Sequence, residues 1–271
     1  MGPPRADGYH DIETVFHALE LGDNMVFECI DAPECRIEGF GPDIPAEKNL
    51  ITRAWRLMRE TYGPQVAGLR VRVQKQLPQG GGLGGGSSNA AATLKAAQKL
   101  YCPSVSDHEL QSLGKSLGSD VPFFVKGGCA IGTGRGEILT PIAAPSPFHL
   151  ILVFPNQKIS TPEAYAALDR ITNRAHSTTP LTHITDALLE GNVTRLAALI
   201  ENDFEQVLGK ETWFTATRDL LMEAGCIAAF LCGSGSTIAG LARSHEDIVC
   251  IESNLARRLF YNTINTRTVT F

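Results

Sequence analysis

Long apolar runs, basic tracts and paired cysteines are all missing from this sequence. No stretch is apolar for long enough to cross a bilayer, and no charged-then-apolar signal opens the chain. The net charge is −5, and lysines and arginines are not clustered as they are in proteins that bind nucleic-acid phosphates. We therefore expect neither a membrane nor a nucleic acid as partner, and we predict a cytoplasmic protein.

The seven cysteines follow no disulfide or metal-binding pattern. Their spacings are wide, no CxxC pair occurs, and no cysteine–histidine cluster has the spacing of a zinc site. We interpret them as free thiols that pack as small hydrophobic groups in a reducing compartment.

The composition is that of a folded protein with a large core. Hydrophobic residues make up 43% of the 271 residues, enough for one large domain or two packed lobes. Segments with strand-like alternation and segments with helical spacing are mixed along the chain, which predicts an α+β fold. Prolines at 145 and 147 precede a buried-strand pattern, so we expect two lobes, residues 1–146 and 147–271.

The one low-complexity segment is LPQGGGLGGGSSNAAATL, in which six of the seven residues Gly80–Gly86 are glycine. Before it, the alternation in Val71–Leu77 predicts a half-buried strand. After it, the strong helix formers of Asn89–Leu100 predict a helix. A linker joins two finished units, whereas this run lies between a strand and a helix of one unit. We therefore interpret it as a functional loop.

A glycine-rich turn that leads into a helix favours phosphate binding. Backbone N–H groups converge there without hindrance from side chains, and the helix N-terminus adds a partial positive charge. We predict a polyphosphate site in this loop. The hydroxyls of Ser87 and Ser88 would contact a phosphate or its magnesium ion.

Two familiar nucleotide motifs fit the loop less well. A Walker A sequence requires lysine at the position of Ser87, so that interpretation fails. The dinucleotide pattern GxGxxG is matched by Gly80, Gly82 and Gly85, but the acidic residue at the expected distance, Asp107, follows no predicted strand. A dinucleotide-binding domain is therefore the second interpretation.

Five segments in the same order resemble the GHMP kinase family. The glycine run resembles its phosphate loop, and the GLGGGSSNAA form is similar to the 4-diphosphocytidyl-2-C-methyl-D-erythritol kinases within it. The other four are RADGYHDIETVF, NLITRAWRL, GSDVPFFVKGG and FLCGSGSTIAG, which begin at residues 5, 49, 118 and 230. The last contains Gly233, Gly235 and Ser236, which match a family motif that supports the phosphate loop.

The resemblance implies a fold, a reaction and cofactors. The expected fold is two-lobed, with an N-terminal lobe of the ribosomal protein S5 type and a ferredoxin-like C-terminal lobe. The expected reaction transfers the γ-phosphate of ATP, with Mg²⁺, to the tertiary 2-hydroxyl of a cytidine-diphosphate-linked methylerythritol in isoprenoid synthesis. We expect a small-molecule substrate and a monomer or weak homodimer.

The resemblance also assigns roles to individual residues. Asp120 matches the catalytic aspartate, which would orient the attacking hydroxyl or accept its proton. Without the resemblance, Asp120 would be interpreted as a turn or helix-capping residue. The other implied residues are Gly80, Gly81, Gly82, Leu83, Gly84, Gly85, Gly86, Ser87, Ser88, Asn49 and Lys75 for ATP, and Tyr9, His10, Phe16, Thr161 and Tyr165 for the acceptor.

Three of the acceptor residues lie near the start of the sequence. An aromatic ring such as that of Tyr9 stacks on a nucleobase, and the imidazole of His10 can contact the edge of the base. The resemblance implies that both contact the cytosine. The structural alternative is a surface turn for these two residues, and for Phe16 a core position is as good an interpretation.

The remaining assignments have structural alternatives as well. Thr161 is predicted to cap a helix that has Pro162 in its first position, and Tyr165 follows one turn later. The structural alternative is that Thr161 only caps this helix and that the ring of Tyr165 only packs in the core. Asn49 is explained equally well as a helix cap, and Lys75 could act through its backbone alone.

One departure from the family concerns the beginning of the sequence. Members carry, ahead of the RADGYH segment, a strand with a lysine beside the catalytic aspartate, and no counterpart precedes Arg5 here. The resemblance then implies that Asp120 lacks a cation that would keep it ionised. We favour a shortened sequence as the explanation. The alternatives are a weakened or non-catalytic ATP-binding relative and a different small-molecule GHMP kinase.

Overall fold

The computed structural model describes residues 1–39, 44–157, 159–175, 179–256 and 262–269. Within these ranges, strands and helices are mixed along the chain, which confirms the α+β prediction. The strands are β1 (Thr14–His17), β2 (Asn24–Ile30), β3 (Cys35–Glu38), β4 (Gly68–Gln74), β5 (Cys129–Thr133), β6 (Ile138–Ile142), β7 (His149–Phe154), β8 (Ala228–Leu231), β9 (Ile238–Leu241) and β10 (Asn262–Arg267).

Ten α-helices lie in the same described ranges, and none of them is long and apolar enough to cross a membrane. They are α1 (Leu50–Tyr62), α2 (Gly85–Tyr101), α3 (Asp107–Gly114), α4 (Val121–Lys126), α5 (Thr161–Asp169), α6 (Leu181–Leu189), α7 (Val193–Leu199), α8 (Glu205–Leu208), α9 (Thr212–Ala224) and α10 (His245–Ala256).

The strands form three sheets. In the first, β4 lies between β2, which is antiparallel to it, and β3, which is parallel. In the second, β5 lies between β1 and β6, and all the pairs are antiparallel. The third has the antiparallel order β10-β7-β9-β8.

A helical layer over β4 holds the segment that carries the glycine run. Leu69, Val71 and Val73 of β4 are buried, while the residues between them are more exposed, as the predicted alternation requires. Their side chains share one core with α1 and α2, including Trp55 and Leu94. Because α2 packs against both α1 and α4, its N-terminus is held in place by a rigid layer.

The third sheet is covered on both faces. Ile151 and Val153 of β7 pack in one core with α9 and α10, and Leu152 packs in another. That second core also contains Cys129 and Ile142 of the β5–β6 hairpin, so it joins the second and third sheets. Continuous burial on both faces explains why β7 is apolar along most of its length.

Several predicted boundaries differ from the structure. The helix after the glycine run begins at Gly85 and not at Asn89, because the last glycines form its first turn. The sequence over 193–209 predicts one helical segment, whereas the structure has two helices there, α7 and α8. The sequence also predicts a helix over 245–260 and a terminal strand over 265–271, and the last four residues of that helix and the last two of that strand lie outside the described residues.

Candidate active site

The glycine run forms a tight bend that ends in α2. Gly80, Gly82 and Gly84 have φ angles of +71°, +78° and +66°, a region that residues with a Cβ rarely adopt. In the described residues, no backbone N–H from Gly80 to Ser87 donates to a protein acceptor, and no side chain caps α2. The bend therefore presents a row of free donors at the positive end of a helix.

The bend packs against the turn formed by residues 232–237. The backbone N–H of Thr237 donates to the carbonyl oxygen of Gly81 at 3.1 Å. A Cβ on Gly82 would overlap the carbonyl oxygen of Cys232. This contact therefore requires glycine, and it brings together the two glycine-containing segments singled out in the sequence.

The two serines and the leucine of the loop have different surroundings. Leu83 packs into the core that joins the second and third sheets, which anchors the tip of the bend. The hydroxyl of Ser88 donates to the carbonyl oxygen of Gly85 at 2.9 Å. In the part of the chain that the structure describes, the Ser87 hydroxyl has no hydrogen-bond partner, so it is the serine available to a ligand.

Asp120 lies immediately before α4, and residues on either side of it in the chain approach the bend and the first turn of α2. A Cβ on Gly118 would lie 3.9 Å from the Ser87 hydroxyl, and a Cβ on Gly84 would collide with the ring of Phe124. The Asp120 side chain does not cap α4, and its carboxylate has no hydrogen-bond or ion-pair partner among the described residues. Burial raises its pKa. A partly buried carboxylate without a partner is typical of a functional site. Asp120 does lie in a turn and occupies the N-cap position of α4, as the structural alternative predicts, but its side chain makes no capping hydrogen bond.

Helix α5 contacts the turn of residues 232–237, which supports the bend. Its N-cap is Ser160, so the prediction that Thr161 is the cap is wrong by one residue. The Thr161 hydroxyl lies 2.9 Å from the hydroxyl of Ser234, in the turn that supports the bend. Burial raises the pKa of Tyr165, and the negative charge of Asp120 raises it further.

His10 packs against α5, whereas the neighbouring Tyr9 packs against Arg135. The His10 ring is buried and stacks on the ring of Tyr165, with centroids 4.9 Å apart. Tyr9 is half exposed, and its ring centroid lies 4.6 Å from the guanidinium carbon of Arg135. The RADGYH segment therefore reaches across to α5 through its histidine.

Three implied residues make contacts of a structural kind. Phe16 stacks on Phe123 with ring centroids 5.1 Å apart. The Asn49 side chain accepts from the backbone N–H of Ile51 at 3.0 Å and caps α1. The ammonium group of Lys75 pairs with a carboxylate of the β1–β2 connection. The cap and the ring packing agree with the structural alternatives.

The GHMP kinase family models match both halves of the chain. The model of the N-terminal domain matches residues 49–128, and the model of the C-terminal domain matches residues 184–262. The 4-diphosphocytidyl-2-C-methyl-D-erythritol kinase of Mycolicibacterium smegmatis is 38% identical over 253 residues, which are 90% of this chain and 78% of that protein. The chain belongs to the GHMP kinase family. The resemblance seen in the sequence is confirmed.

Further similarities agree with this membership. The enzyme of the same name from Salinispora arenicola is 37% identical over 94% of this GHMP kinase and 83% of its own length. The crystal structure of a 4-(cytidine 5′-diphospho)-2C-methyl-D-erythritol kinase superposes with a TM-score of 0.83 and 30% identity, over 100% of this chain and 94% of that chain. The expected two-part α+β kinase fold is confirmed.

The dinucleotide interpretation is wrong. In this GHMP kinase, α2 leads into α3 and not into a second parallel strand next to β4. Asp107 lies in the first turn of α3, where Ser106 and Glu109 form a capping box, as the three-residue spacing of Ser and Glu predicts. The pattern GxGxxG matches only because the run contains so many glycines.

The side chains of Asn202 and Glu205 hold the supporting turn of residues 232–237 in place. The amide group of Asn202 donates to the carbonyl oxygens of Leu231 and Gly233, at 2.9 and 2.8 Å. The carboxylate of Glu205 accepts from the backbone N–H of Leu231 at 2.8 Å. These two residues fix the turn, and through it they support the glycine bend.

Asp23 is a residue beside the candidate site that sequence reasoning missed. Its wholly buried carboxylate connects the end of β4, the start of the bend and α2. It accepts hydrogen bonds from the backbone N–H groups of Gln76 and Leu77 at 2.9 and 3.0 Å, from the Asn89 amide at 2.8 Å and from Lys75 Nζ at 2.5 Å. Burial alone would raise the pKa of Asp23, but these donors, Lys75 foremost, outweigh it and lower the pKa.

We expect Asp23→Ala to destabilise the kinase by about 3 to 5 kcal/mol, because it breaks a buried ion pair and leaves several donors unpaired. Urea unfolding measures the loss. Asp31→Ala, in an exposed loop, is the control. Because the native pKa of Asp23 is depressed, its contribution is complete above the unfolded value of about 3.9 and is lost as the pH falls through the native pKa. Equal unfolding midpoints for the two variants would contradict this role.

Proposed function

We propose that this GHMP kinase transfers the γ-phosphate of ATP to the 2-hydroxyl of 4-diphosphocytidyl-2-C-methyl-D-erythritol, in isoprenoid biosynthesis. The observation that carries the proposal is the contact of the donor-rich bend and the first turn of α2 with Phe124 and Gly118, the residues that flank Asp120 in the chain, together with the lack of a partner for the Asp120 carboxylate in the described residues. The name shared by relatives that cover most of the chain supports this acceptor.

The bend has the properties that a triphosphate requires. Its free N–H groups would bind the phosphate oxygens, and glycine is needed where the backbone comes closest to the supporting turn. A magnesium ion bound with the nucleotide would neutralise charge on the phosphates. The Ser87 hydroxyl is an oxygen donor in the first turn of α2 and is free to contact such an ion, since Mg²⁺ is usually bound by oxygen ligands together with phosphates.

Asp120 is the group placed to act on the attacking hydroxyl. Phosphoryl transfer depends mainly on positioning and on charge stabilisation, and a carboxylate can accept the hydroxyl proton as the bond to phosphorus forms. Burial makes Asp120 a stronger base than an exposed aspartate, since it raises the pKa.

The cytidine end of the acceptor would lie between the RADGYH segment and α5. His10 and Tyr165 already stack there, and Thr161 contacts the supporting turn at the start of the same helix. Aromatic and imidazole rings bind a nucleobase by stacking and by hydrogen bonds to its edge. One continuous set of contacts would therefore connect the base end of the acceptor to the phosphate bend.

The proposal is tested by ADP release with defined acceptors. Purified protein is mixed with ATP, Mg²⁺ and the cytidine-linked acceptor, and mevalonate, homoserine and galactose are compared at equal concentration. We expect ADP with the cytidine-linked acceptor at a kcat/KM at least about 100-fold above the others, because the others lack the base. Preference for one of the other acceptors would contradict the proposal.

A second function is favoured by the lack of a cation next to Asp120 in the described residues. Without such a partner, the protein would bind ATP and transfer nothing. In that case, calorimetry detects ATP binding, no ADP appears with any acceptor, and Asp120→Asn changes neither result. ADP formation with the cytidine-linked acceptor excludes this function.

The pH dependence of turnover follows from the burial of Asp120. Because its pKa is raised, the carboxylate takes up a proton at a higher pH than an ordinary aspartate does. We expect the acidic limb of the kcat/KM profile to lie above about pH 4, with activity falling as the pH decreases through it. An acidic limb at or below the ordinary aspartate value, measured with stable protein, would contradict this assignment.

A further inference from the structure

A hydrogen bond between distant segments fixes the ring of His10. Its Nε2 atom lies 2.9 Å from Oδ1 of Asp169, a residue 159 positions later at the end of α5. The His10 side chain is only 5% exposed, whereas that of Asp169 is 34% exposed. The buried ring is therefore oriented by a carboxylate that itself remains in contact with solvent.

The packing around the ring leaves one of its polar atoms available. One face of the imidazole stacks on Tyr165 at a centroid distance of 4.9 Å. Nε2 is taken by Asp169, while Nδ1 has no hydrogen-bond partner within the described residues. A ligand bound beside this ring would therefore meet Nδ1.

The bond to Asp169 decides what Nδ1 can do. A neutral imidazole carries its proton on one nitrogen and offers a lone pair on the other, and the hydrogen bond of one nitrogen selects the state of the second. An ionised carboxylate only accepts hydrogen bonds, so it selects the form with the proton on Nε2. Nδ1 is then an acceptor.

We propose that Asp169 is a positioning residue that sets the base specificity of the acceptor site by holding His10 as the Nε2–H tautomer. This inference rests on the proposed function, in which His10 contacts the cytidine end of the acceptor. Cytosine carries an exocyclic amine, a donor, where uracil carries a carbonyl oxygen, an acceptor. An accepting Nδ1 binds the amine and repels the carbonyl, so the site selects cytidine over uridine.

Kinetics with two acceptors test the specificity. Asp169→Asn keeps the shape of the side chain, but its amide can donate to Nε2 as well as accept from it, so both tautomers become available. We expect the ratio of kcat/KM for the cytidine-linked acceptor to that for its uridine counterpart to fall roughly tenfold or more. The KM for ATP stays unchanged. Glu163→Gln, the same exchange at an exposed position of α5, is the control and keeps the wild-type ratio.

The tautomer itself is measured without any substrate. Nitrogen chemical shifts of the His10 ring in ligand-free wild-type protein report which nitrogen carries the proton, and His10→Gln identifies the signal. We expect protonation on Nε2 alone. Protonation on Nδ1, or on both nitrogens, overturns the inference even if the kinase transfers phosphate to the cytidine-linked acceptor.

The outcomes separate this inference from the proposed function. If the wild type does not phosphorylate the cytidine-linked acceptor, the proposed function fails, and the specificity role of Asp169 fails with it. If the wild type phosphorylates that acceptor and Asp169→Asn keeps the wild-type ratio between the bases, only the role of Asp169 is overturned. A lower ratio together with an Nε2-protonated ring supports it.

Discussion

Replacing Asp120 with asparagine is expected to lower kcat by about 10³-fold and to leave ATP binding almost unchanged. A general base contributes roughly 10² to 10⁴ to the rate, and an amide cannot accept the proton. The exchange also removes a partly buried charge that has no partner in the described residues, so the variant unfolds at the same temperature or a higher one. Turnover, calorimetry with ATP and thermal unfolding measure the three effects.

The combination of these effects distinguishes catalysis from a structural role. A structural aspartate would lose stability and activity together on substitution, whereas Asp120→Asn loses activity alone. Asp219→Asn, at an exposed position of α9, is the matched control and retains the wild-type kcat. A variant of Asp120 that is as active as the wild type would remove the aspartate from the mechanism.

Gly82→Ala is expected to destabilise the protein by about 2 to 4 kcal/mol and to weaken ATP binding by about 100-fold. Two penalties add here: the left-handed φ of +78° and the overlap of the new methyl group with the carbonyl oxygen of Cys232. Relief of that overlap separates the bend from its supporting turn and misplaces the N–H groups. Urea unfolding and calorimetry with ATP measure the changes.

Gly80→Ala is the matched control for this substitution. Gly80 has a similar φ of +71°, but no atom lies within 4 Å of a Cβ built there. It therefore carries only the conformational penalty, about 1 to 2 kcal/mol. Equal losses of ATP affinity in the Gly80 and Gly82 variants would show that contact with the turn does not position the bend.

Local patterns predicted most of the secondary structure, because each depends on neighbouring residues. The alternation of Val71 and Val73 marks a strand with one buried face, and the pairing of Ser106 with Glu109 marks the start of α3. The start of α2 was missed because glycine is a poor helix former, and tertiary packing decides the conformation of Gly85.

The residues of the candidate site that the sequence did not predict make their contacts with residues far away in the chain. Asp23 looks like an ordinary turn residue, and its donors lie 52 to 66 positions later. Asp169 lies at the exposed end of a helix, and nothing near it in the sequence indicates a bond to His10. Such partners are set by the folded chain, so a pattern in one sequence does not reveal them.

The most direct measurement for this account is a crystal structure with a non-hydrolysable ATP analogue, Mg²⁺ and the cytidine-linked acceptor. We predict phosphate oxygens about 3 Å from backbone nitrogens between Gly82 and Ser87. The γ-phosphate should lie between the bend and Asp120, with the acceptor hydroxyl beside that carboxylate. Phosphates bound elsewhere, or a γ-phosphate directed away from Asp120, would contradict the account.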